Sequence, residues 1–215
     1  MIIAWVFQSP QLTLRLVPGK MWAPVILFLL GIKLKVQGRE NANKLGPSIY
    51  VANHSSFLDI PACVSAIPVN LNFIAKKELK KMPVVGWYIS ATKQIFIDRK
   101  NKQLAMQSME VAAQRIAGGR SVLSYAEGTR SKNGEVQLFR RGAFIIAENA
   151  NIPITPVAVS GAFECLKPKG LFTKSGTITV TIGEPFRPSD VEFSSIEALA
   201  EIARQKVIKL KLGEA

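Results

Sequence analysis

Residues 49–67 read IYVANHSSFLDIPACVSAI, and this stretch decides the fold and contains His54, the one histidine of the chain. The apolar, β-prone run at residues 49–52 predicts a strand, and the run at residues 57–67 predicts a helix. The polar turn between them therefore lies at one end of a sheet. Open α/β folds bind their ligands at that position.

His54 and Asp59 are the first candidates for chemistry. A neutral imidazole is the usual general base near neutral pH, and this chain offers one. If Asp59 lies in the first turn of the helix, its carboxylate can accept a proton from one ring nitrogen and leave the other nitrogen as the base. The alternative is structural, with the serine-rich turn capping the helix and Asp59 as a favourable first-turn acid.

Strand-like and helix-like runs alternate along the rest of the chain. Strands are predicted at residues 49–52, 71–75, 94–98, 121–125, 154–159 and 177–182. Helices are predicted at residues 57–67, 102–117, 139–149 and 195–210, the last with Ser194 as the N-cap of a capping box. The alternation predicts one α/β domain over residues 37–215, with a mainly parallel sheet flanked by helices.

The composition indicates which kinds of binding partner the protein has. The net charge is +13 and 48% of the residues are apolar, which indicates an anionic membrane surface or anionic substrates. Aromatic residues make up only 8%, and no nucleic-acid-binding motif is recognisable, so no nucleic acid is expected. Cys63 and Cys165 are not in metal-binding spacing, and there is no GxGxxG or P-loop. We therefore expect no metal and no cofactor.

Residues 1–36 are the candidate membrane-associating segment. The longest apolar run, residues 21–32, has 12 residues, whereas a spanning helix needs about 20. We predict a helical hairpin that lies in one leaflet, with four basic side chains near the head groups: Arg15, Lys20, Lys33 and Lys35. The alternatives are helices that cover the core of a soluble domain, or two spanning helices.

Three further segments carry charged groups at predicted strand ends. Residues 76–81 (KKELKK) follow one strand, Arg99 ends another, and residues 124–131 (SYAEGTRS) follow a third. Gly128 permits close backbone approach, and the planar fork of Arg130 suits phosphate oxygens. The alternatives are a solvated lysine turn and an ordinary salt-bridged loop. Arg140 and Arg141 add two cations at the start of a predicted helix, where anions bind readily.

These segments together resemble the four motifs of the glycerolipid acyltransferases, in the family's order. NHSSFLD matches the HxxxxD motif, AKKEL and IFIDR resemble the second motif, EGTRS matches the third, and IPITPVAVSG resembles the fourth. The resemblance covers residues 37–187 and is greatest to the small, membrane-associated bacterial 1-acyl-sn-glycerol-3-phosphate acyltransferases. Two departures are Ala126, where the family usually has proline, and residues 92–94 (TKQ), where many members have glycine.

The resemblance implies an αβα acyltransferase domain that acylates the sn-2 hydroxyl of lysophosphatidate, giving phosphatidate. His54 would deprotonate the hydroxyl and Asp59 would orient His54. The substrate-binding residues it implies are Lys76, Arg99, Glu127, Gly128, Thr129 and Arg130. The donor would be acyl-CoA or acyl-acyl carrier protein, and the location the cytoplasmic face of the cytoplasmic or inner membrane. The alternatives are another acceptor (glycerol 3-phosphate or a lysophospholipid) and a non-catalytic lipid-binding protein.

Overall fold

The computed structural model describes residues 22–81, 86, 89–90, 92–98, 101–168, 170 and 172–214, and these form one α/β sheet structure. The strands are β1 (Ile32–Gln37), β2 (Ile49–Ala52), β3 (Leu71–Lys76), β4 (Ile95–Ile97), β5 (Ser121–Tyr125), β6 (Ile154–Ser160) and β7 (Gly176–Ile182). The helices are α1 (Ala23–Leu29), α2 (Asp59–Ala66), α3 (Lys102–Ala117), α4 (Gly142–Asn149), α5 (Ala162–Cys165) and α6 (Ile196–Leu212).

The sheet is mainly parallel, as the sequence predicts. Its strand order is β1-β7-β6-β2-β5-β3-β4. The pairs from β6 through β4 are parallel, whereas β7 is antiparallel to β6 and parallel to β1. The carboxyl ends of β2, β3, β4, β5 and β6 therefore meet at one edge of the sheet, which we call the carboxyl edge.

Two apolar layers cover the sheet, and β2 shows why. Tyr50 and Ala52 face the layer formed with α1 and α2, while Ile49 and Val51 face the layer formed with α3, α4 and α6. All four residues are buried, because a central parallel strand is covered on both faces. The continuous apolar run of residues 49–52 thus reflects its central position.

The N-terminal prediction is wrong over its last residues. Residues 32–36 were predicted to belong to a helical hairpin, but they lie in edge strand β1, which pairs with β7. Lys33 and Lys35 alternate with more buried residues in the period-two pattern of a strand with one solvated face. Residues 1–21 of the predicted hairpin lie outside the described residues. No helix within the described part of the chain is long and apolar enough to cross a membrane.

The predicted cap of the last helix is also wrong by one residue. Ser195, and not Ser194, is the N-cap of α6, and its hydroxyl accepts a hydrogen bond from the Ala198 N–H. Ser195 has extended backbone angles, which direct its side chain at the free N–H groups of the first turn. From this start, the helix buries Leu199 and Val207 against the sheet.

Replacing Ser195 with alanine should lower the free energy of unfolding by about 1 kcal/mol, because one N–H of the first turn of α6 loses its acceptor. Ser194→Ala is the matched control and should change it by less than about 0.5 kcal/mol. Denaturant unfolding followed by circular dichroism measures both. Equal losses in the two variants would contradict the assignment of the cap.

Candidate active site

The candidate site lies at the carboxyl edge, where the loops after β2 and β5 run side by side. In the register of the two strands Ala52 is opposite Tyr125, so the residues two positions further on, His54 and Glu127, emerge next to each other. The structure thus brings together the histidine and the EGTR segment, which are 73 residues apart in the sequence.

Asp59 holds the imidazole of His54. The Nδ1 atom of His54 lies 2.8 Å from Oδ2 of Asp59. The same oxygen accepts hydrogen bonds from the Ser55 N–H at 2.7 Å and the Ser56 N–H at 2.8 Å. Two backbone donors on this oxygen favour the ionised carboxylate, which can only accept, so the Nδ1 atom beside it carries the proton. The Nε2 atom is then left with its lone pair, as a general base requires.

The contacts and the position of Asp59 fit both interpretations of this residue. Asp59 is the first residue of α2 and is completely buried, so it also acts as the favourable acid in the first helical turn. His54 has 15% of its side chain exposed and can therefore be reached from solvent. A buried carboxylate that orients an accessible imidazole is the arrangement that proton abstraction from a bound substrate needs.

The backbone of His54 is fixed from both sides. Its N–H donates to Oε1 of Glu127 at 2.8 Å, and its carbonyl oxygen accepts from the Ser131 N–H at 2.7 Å. Glu127 is itself buried. Burial raises the pKa of Glu127 to about 7, although the hydrogen bond from His54 opposes the shift. The EGTR segment therefore holds the backbone that carries the base.

Tyr125 supports the ring of His54 and was not predicted as a site residue. The two rings stack with their centroids 4.2 Å apart and their planes at 20°. Burial raises the pKa of the Tyr125 hydroxyl well above its ordinary value, so the side chain stays neutral. Its position at the end of β5, just before the EGTR segment, was the signal that could have identified it.

Arg130 lies beside the histidine turn, as the sequence predicts. Its guanidinium stacks on the ring of Phe57, with Cζ 3.7 Å from the centroid, and Nη1 donates to the Pro168 carbonyl at 3.0 Å. Thr129 is exposed. Gly128 has a φ of 74°, and a Cβ there would lie 2.4 Å from Nε of Arg140. The positive φ thus favours glycine, and a larger residue would also displace the Arg140 side chain.

Two predicted phosphate ligands, Lys76 and Arg99, lie outside the loop after β5. Lys76 ends β3, so it lies at the same edge, two strand spacings or about 10 Å from β2. Its side chain is half exposed and its ammonium is 3.4 Å from a Glu78 carboxylate oxygen. Arg99 lies outside the described residues.

Asn53 is a further residue that the sequence interpretation missed. Its side-chain amide donates to the Val159 carbonyl at 2.9 Å, and its side-chain oxygen accepts from the Val159 N–H at 2.8 Å. Asn53 therefore joins β6 with its side chain where β2 has ended. This contact fixes the start of the turn that carries His54.

The structure shows the local conformation at the two departures from the family pattern. The Ala126 N–H donates to the Ala52 carbonyl at 3.3 Å, a bond that proline could not make. Lys93 has a φ of 52°, a left-handed conformation in which glycine is favoured. Next to it, Oε1 of Gln94 accepts from the Phe73 N–H at 2.8 Å and so continues the link from β3 to β4.

The described part of the chain contains no group of three histidine, cysteine, aspartate or glutamate side chains that could hold a metal ion. What the arrangement can do chemically is to take up a proton at Nε2 of His54 beside one fixed cation, Arg130.

Comparison with known proteins agrees with this site. The chain matches the acyltransferase family model over residues 33–160. It is 34% identical over 188 residues to the 1-acyl-sn-glycerol-3-phosphate acyltransferase of Saccharomyces cerevisiae, a match that covers 86% of this chain and 61% of the yeast protein. It is 31% identical over 175 residues to the human 1-acyl-sn-glycerol-3-phosphate acyltransferase beta, covering 81% and 63% of the two chains. The chain thus spans less than two thirds of the length of either relative.

A solved structure has the same fold. The crystal structure of the 1-acyl-sn-glycerophosphate (LPA) acyltransferase PlsC from Thermotoga maritima aligns with a TM-score of 0.79 and 28% sequence identity, covering 96% of this chain and 80% of that one. The mainly parallel sheet and the His54–Asp59 contact define an α/β protein with an imidazole–carboxylate pair at its carboxyl edge. Since the family model matches more than half of its length, the chain belongs to the acyltransferase family.

The buried Glu127 predicts a pH dependence of stability. Its folded-state pKa of about 7 lies above the ordinary value of 4.5, so the folded state binds this proton more tightly than the unfolded state. The stabilisation is complete below pH 4.5 and is lost as the pH rises to about 7. Glu127→Gln should remove this part of the profile.

Denaturant unfolding at a series of pH values measures the effect as the difference between wild type and variant. Glu148→Gln, at an exposed glutamate of α4, is the matched control and should keep the wild-type profile. A difference between wild type and Glu127→Gln that does not change with pH would contradict the prediction.

Proposed function

We propose that this protein transfers an acyl chain from an acyl thioester to the sn-2 hydroxyl of lysophosphatidate and so forms phosphatidate. The observation that carries the proposal is the 2.8 Å contact between Nδ1 of His54 and the buried Asp59, which leaves Nε2 as a base. The names of the curated relatives and of the solved structure support the acceptor. The donor is acyl-CoA or acyl-acyl carrier protein.

The reaction is a direct transfer in this proposal. Nε2 of His54 takes the proton of the acceptor hydroxyl while the hydroxyl oxygen bonds to the thioester carbonyl carbon. The tetrahedral intermediate then breaks its carbon–sulfur bond, and the leaving thiolate receives the proton from the imidazolium. Asp59 stabilises the imidazolium between the two steps without accepting its proton.

Two nucleophilic side chains near His54, those of Ser56 and Cys63, do not suit a covalent intermediate, which supports direct transfer. The Ser56 hydroxyl is buried and donates to the Leu166 carbonyl at 2.7 Å. Burial raises the pKa of the Cys63 thiol to about 12, so it is not a thiolate at neutral pH. The substrate's own hydroxyl is therefore the nucleophile that His54 activates.

The acceptor phosphate is assigned to the cations at the carboxyl edge. Arg130 uses one nitrogen on the Pro168 carbonyl and keeps further N–H donors for phosphate oxygens. Phe57 packs against the guanidinium and limits its motion. Lys76 supplies a second positive charge at the same edge. Glu127, Gly128 and Thr129 shape the loop that receives the glycerol, and Arg99 is a further candidate from its motif.

Membrane association is part of the proposal, because the substrate is a lipid. Phe28 and Leu29 of α1 are 80% and 73% exposed. Neighbouring large apolar side chains that are this exposed are typical of an interaction site. With residues 1–21 they would lie in one leaflet, as a monotopic contact at the cytoplasmic face. The positive net charge of +13 favours a membrane of anionic lipids.

Replacing His54 with alanine should reduce transfer by about 10²- to 10⁴-fold, because no other histidine can take its place. Asp59→Asn should lose most of the activity as well, since an amide favours the wrong tautomer. The assay follows phosphatidate formation with the purified full chain and offers lysophosphatidate and glycerol 3-phosphate, each with both donors. Near wild-type turnover in His54→Ala would exclude the general-base role. If the wild-type protein prefers glycerol 3-phosphate, the proposed acceptor, lysophosphatidate, is wrong.

Replacing Arg130 with alanine should raise the KM for lysophosphatidate roughly 10- to 100-fold, because a charge-assisted hydrogen bond to phosphate is lost. The KM for the thioester should stay the same. Arg39→Ala is the control, since Arg39 is exposed and follows β1 at the opposite edge of the sheet. If both variants keep the wild-type constants for lysophosphatidate, Arg130 is not a phosphate ligand.

A further inference from the structure

The segment between α5 and β7 exposes a large aromatic side chain beside the candidate site. Phe172 is 87% exposed, a greater exposed fraction than any other large apolar side chain of the described residues. Exposed lysines lie on either side of it, Lys167 before it and Lys174 after it. We call the described residues 166–168, 170 and 172–175 the aromatic loop. An exposed phenylalanine between lysines has the composition of a segment that enters a membrane interface.

The aromatic loop meets the end of α1. The Gly176 N–H donates to the Gly31 carbonyl at 3.4 Å, and a Cβ at Gly31 would lie 3.1 Å from Cβ of Ser175. Phe172 is three residues before this junction, so its backbone is at most about 10 Å from it. Phe28 and Leu29 precede the same junction by two or three residues. Two separate chain segments therefore place exposed apolar side chains around one point.

The other end of the aromatic loop contacts the candidate active site. The Leu166 carbonyl accepts the Ser56 hydroxyl at 2.7 Å, and the Pro168 carbonyl accepts Nη1 of Arg130 at 3.0 Å. The described residues at the start of the loop, Leu166 and Pro168, thus contact the turn of His54 and Arg130, and Phe172 follows four residues after Pro168 in the sequence. Phe172 is four residues from Pro168, so its backbone is at most about 14 Å from the backbone that binds Arg130.

We propose that the aromatic loop is a second membrane contact, in which Phe172 enters the interface of an anionic bilayer and Lys167 and Lys174 lie at its head groups. The inference rests on the membrane association proposed above and adds a contact site to it. The net charge of +13 and the junction with the apolar end of α1 favour an anionic lipid surface as the occupant. Docked in this way, Arg130 lies at head-group level, where the phosphate of lysophosphatidate is found.

A fluorescent label tests the position of the loop. Phe172→Cys is labelled with an environment-sensitive dye under native conditions, where the native thiols at Cys63 and Cys165 are buried. Met106→Cys, on the exposed face of α3 and on the other side of the sheet, is the matched control. With vesicles of phosphatidylcholine and phosphatidylglycerol, the dye at position 172 should shift to the blue and brighten, and the dye at position 106 should not.

Activity and binding give an independent readout. Phe172→Ser should weaken partitioning onto the same vesicles roughly tenfold, because one aromatic side chain no longer leaves water. It should lower transfer to lysophosphatidate in vesicles but leave transfer to a soluble, short-chain lysophosphatidate unchanged. Met106→Ser should change neither.

The outcomes separate the two proposals. Wild-type protein that does not bind vesicles overturns the membrane association and this inference with it. Wild-type binding with the dye at position 172 still in water overturns only the inference. A blue shift that follows protein concentration without vesicles assigns the surface to a second copy of the chain, and it also overturns the inference.

Discussion

The buried carboxylate of Asp59 is the constraint on which the candidate site depends. A charge that is completely removed from water is costly unless donors surround it. Here the donors are two backbone N–H groups, of Ser55 and Ser56, and the imidazole of His54, all within 2.8 Å of one oxygen. These bonds fold the turn between β2 and α2 tightly around Asp59. The same hydrogen bonds therefore fix both the conformation of the turn and the orientation of the His54 imidazole.

The turn between β2 and α2 is not the only support of His54. Further contacts come from the strands on either side of β2 and from the loop after β5. Glu127 and Ser131, in the loop after β5, form hydrogen bonds with the backbone of His54, and Tyr125 packs against its ring. On the other side, the side chain of Asn53 pairs with Val159 of β6. The histidine is thus fixed by elements on both flanks of β2, which explains how residues far apart in the sequence act as one site.

The strands that build the site could be predicted almost to the residue, because buried parallel strands are continuous apolar runs. Residues 49–52 and 121–125 have the predicted bounds. Strand β1 was missed since its alternating IKLKVQ pattern at the sheet edge resembles the basic end of a membrane segment. The N-cap of α6 was misplaced because two serines adjoin and only backbone angles distinguish them. Pairings across the sheet, such as Asn53 with Val159, leave no local pattern in the sequence.

Of the candidate site, the sequence predicted the residues of the two motif loops but not their supports. His54 and Asp59 lie in one short motif, so their contact follows from a turn and the first residue of a helix. Tyr125 and Asn53 act through stacking and through a backbone-like pairing, and both roles depend on which strands are neighbours. That neighbourhood is a property of the whole sheet order, in which β2 lies between β5 and β6.

The chain direction reverses between β6 and β7, and this reversal decides which segments reach the carboxyl edge. The parallel strands β2, β3 and β5 carry His54, Lys76 and the EGTR loop at their carboxyl ends. The antiparallel pairing of β7 with β6 brings the start of β7 to the same edge. The aromatic loop, which precedes β7, is therefore delivered beside Arg130, and the parallel pairing of β1 with β7 brings the end of α1 next to it. An entirely parallel sheet would place these segments at the opposite edge. The antiparallel pairing of β6 and β7 thus puts the proposed membrane contacts and the proposed general base, His54, on the same side of the protein.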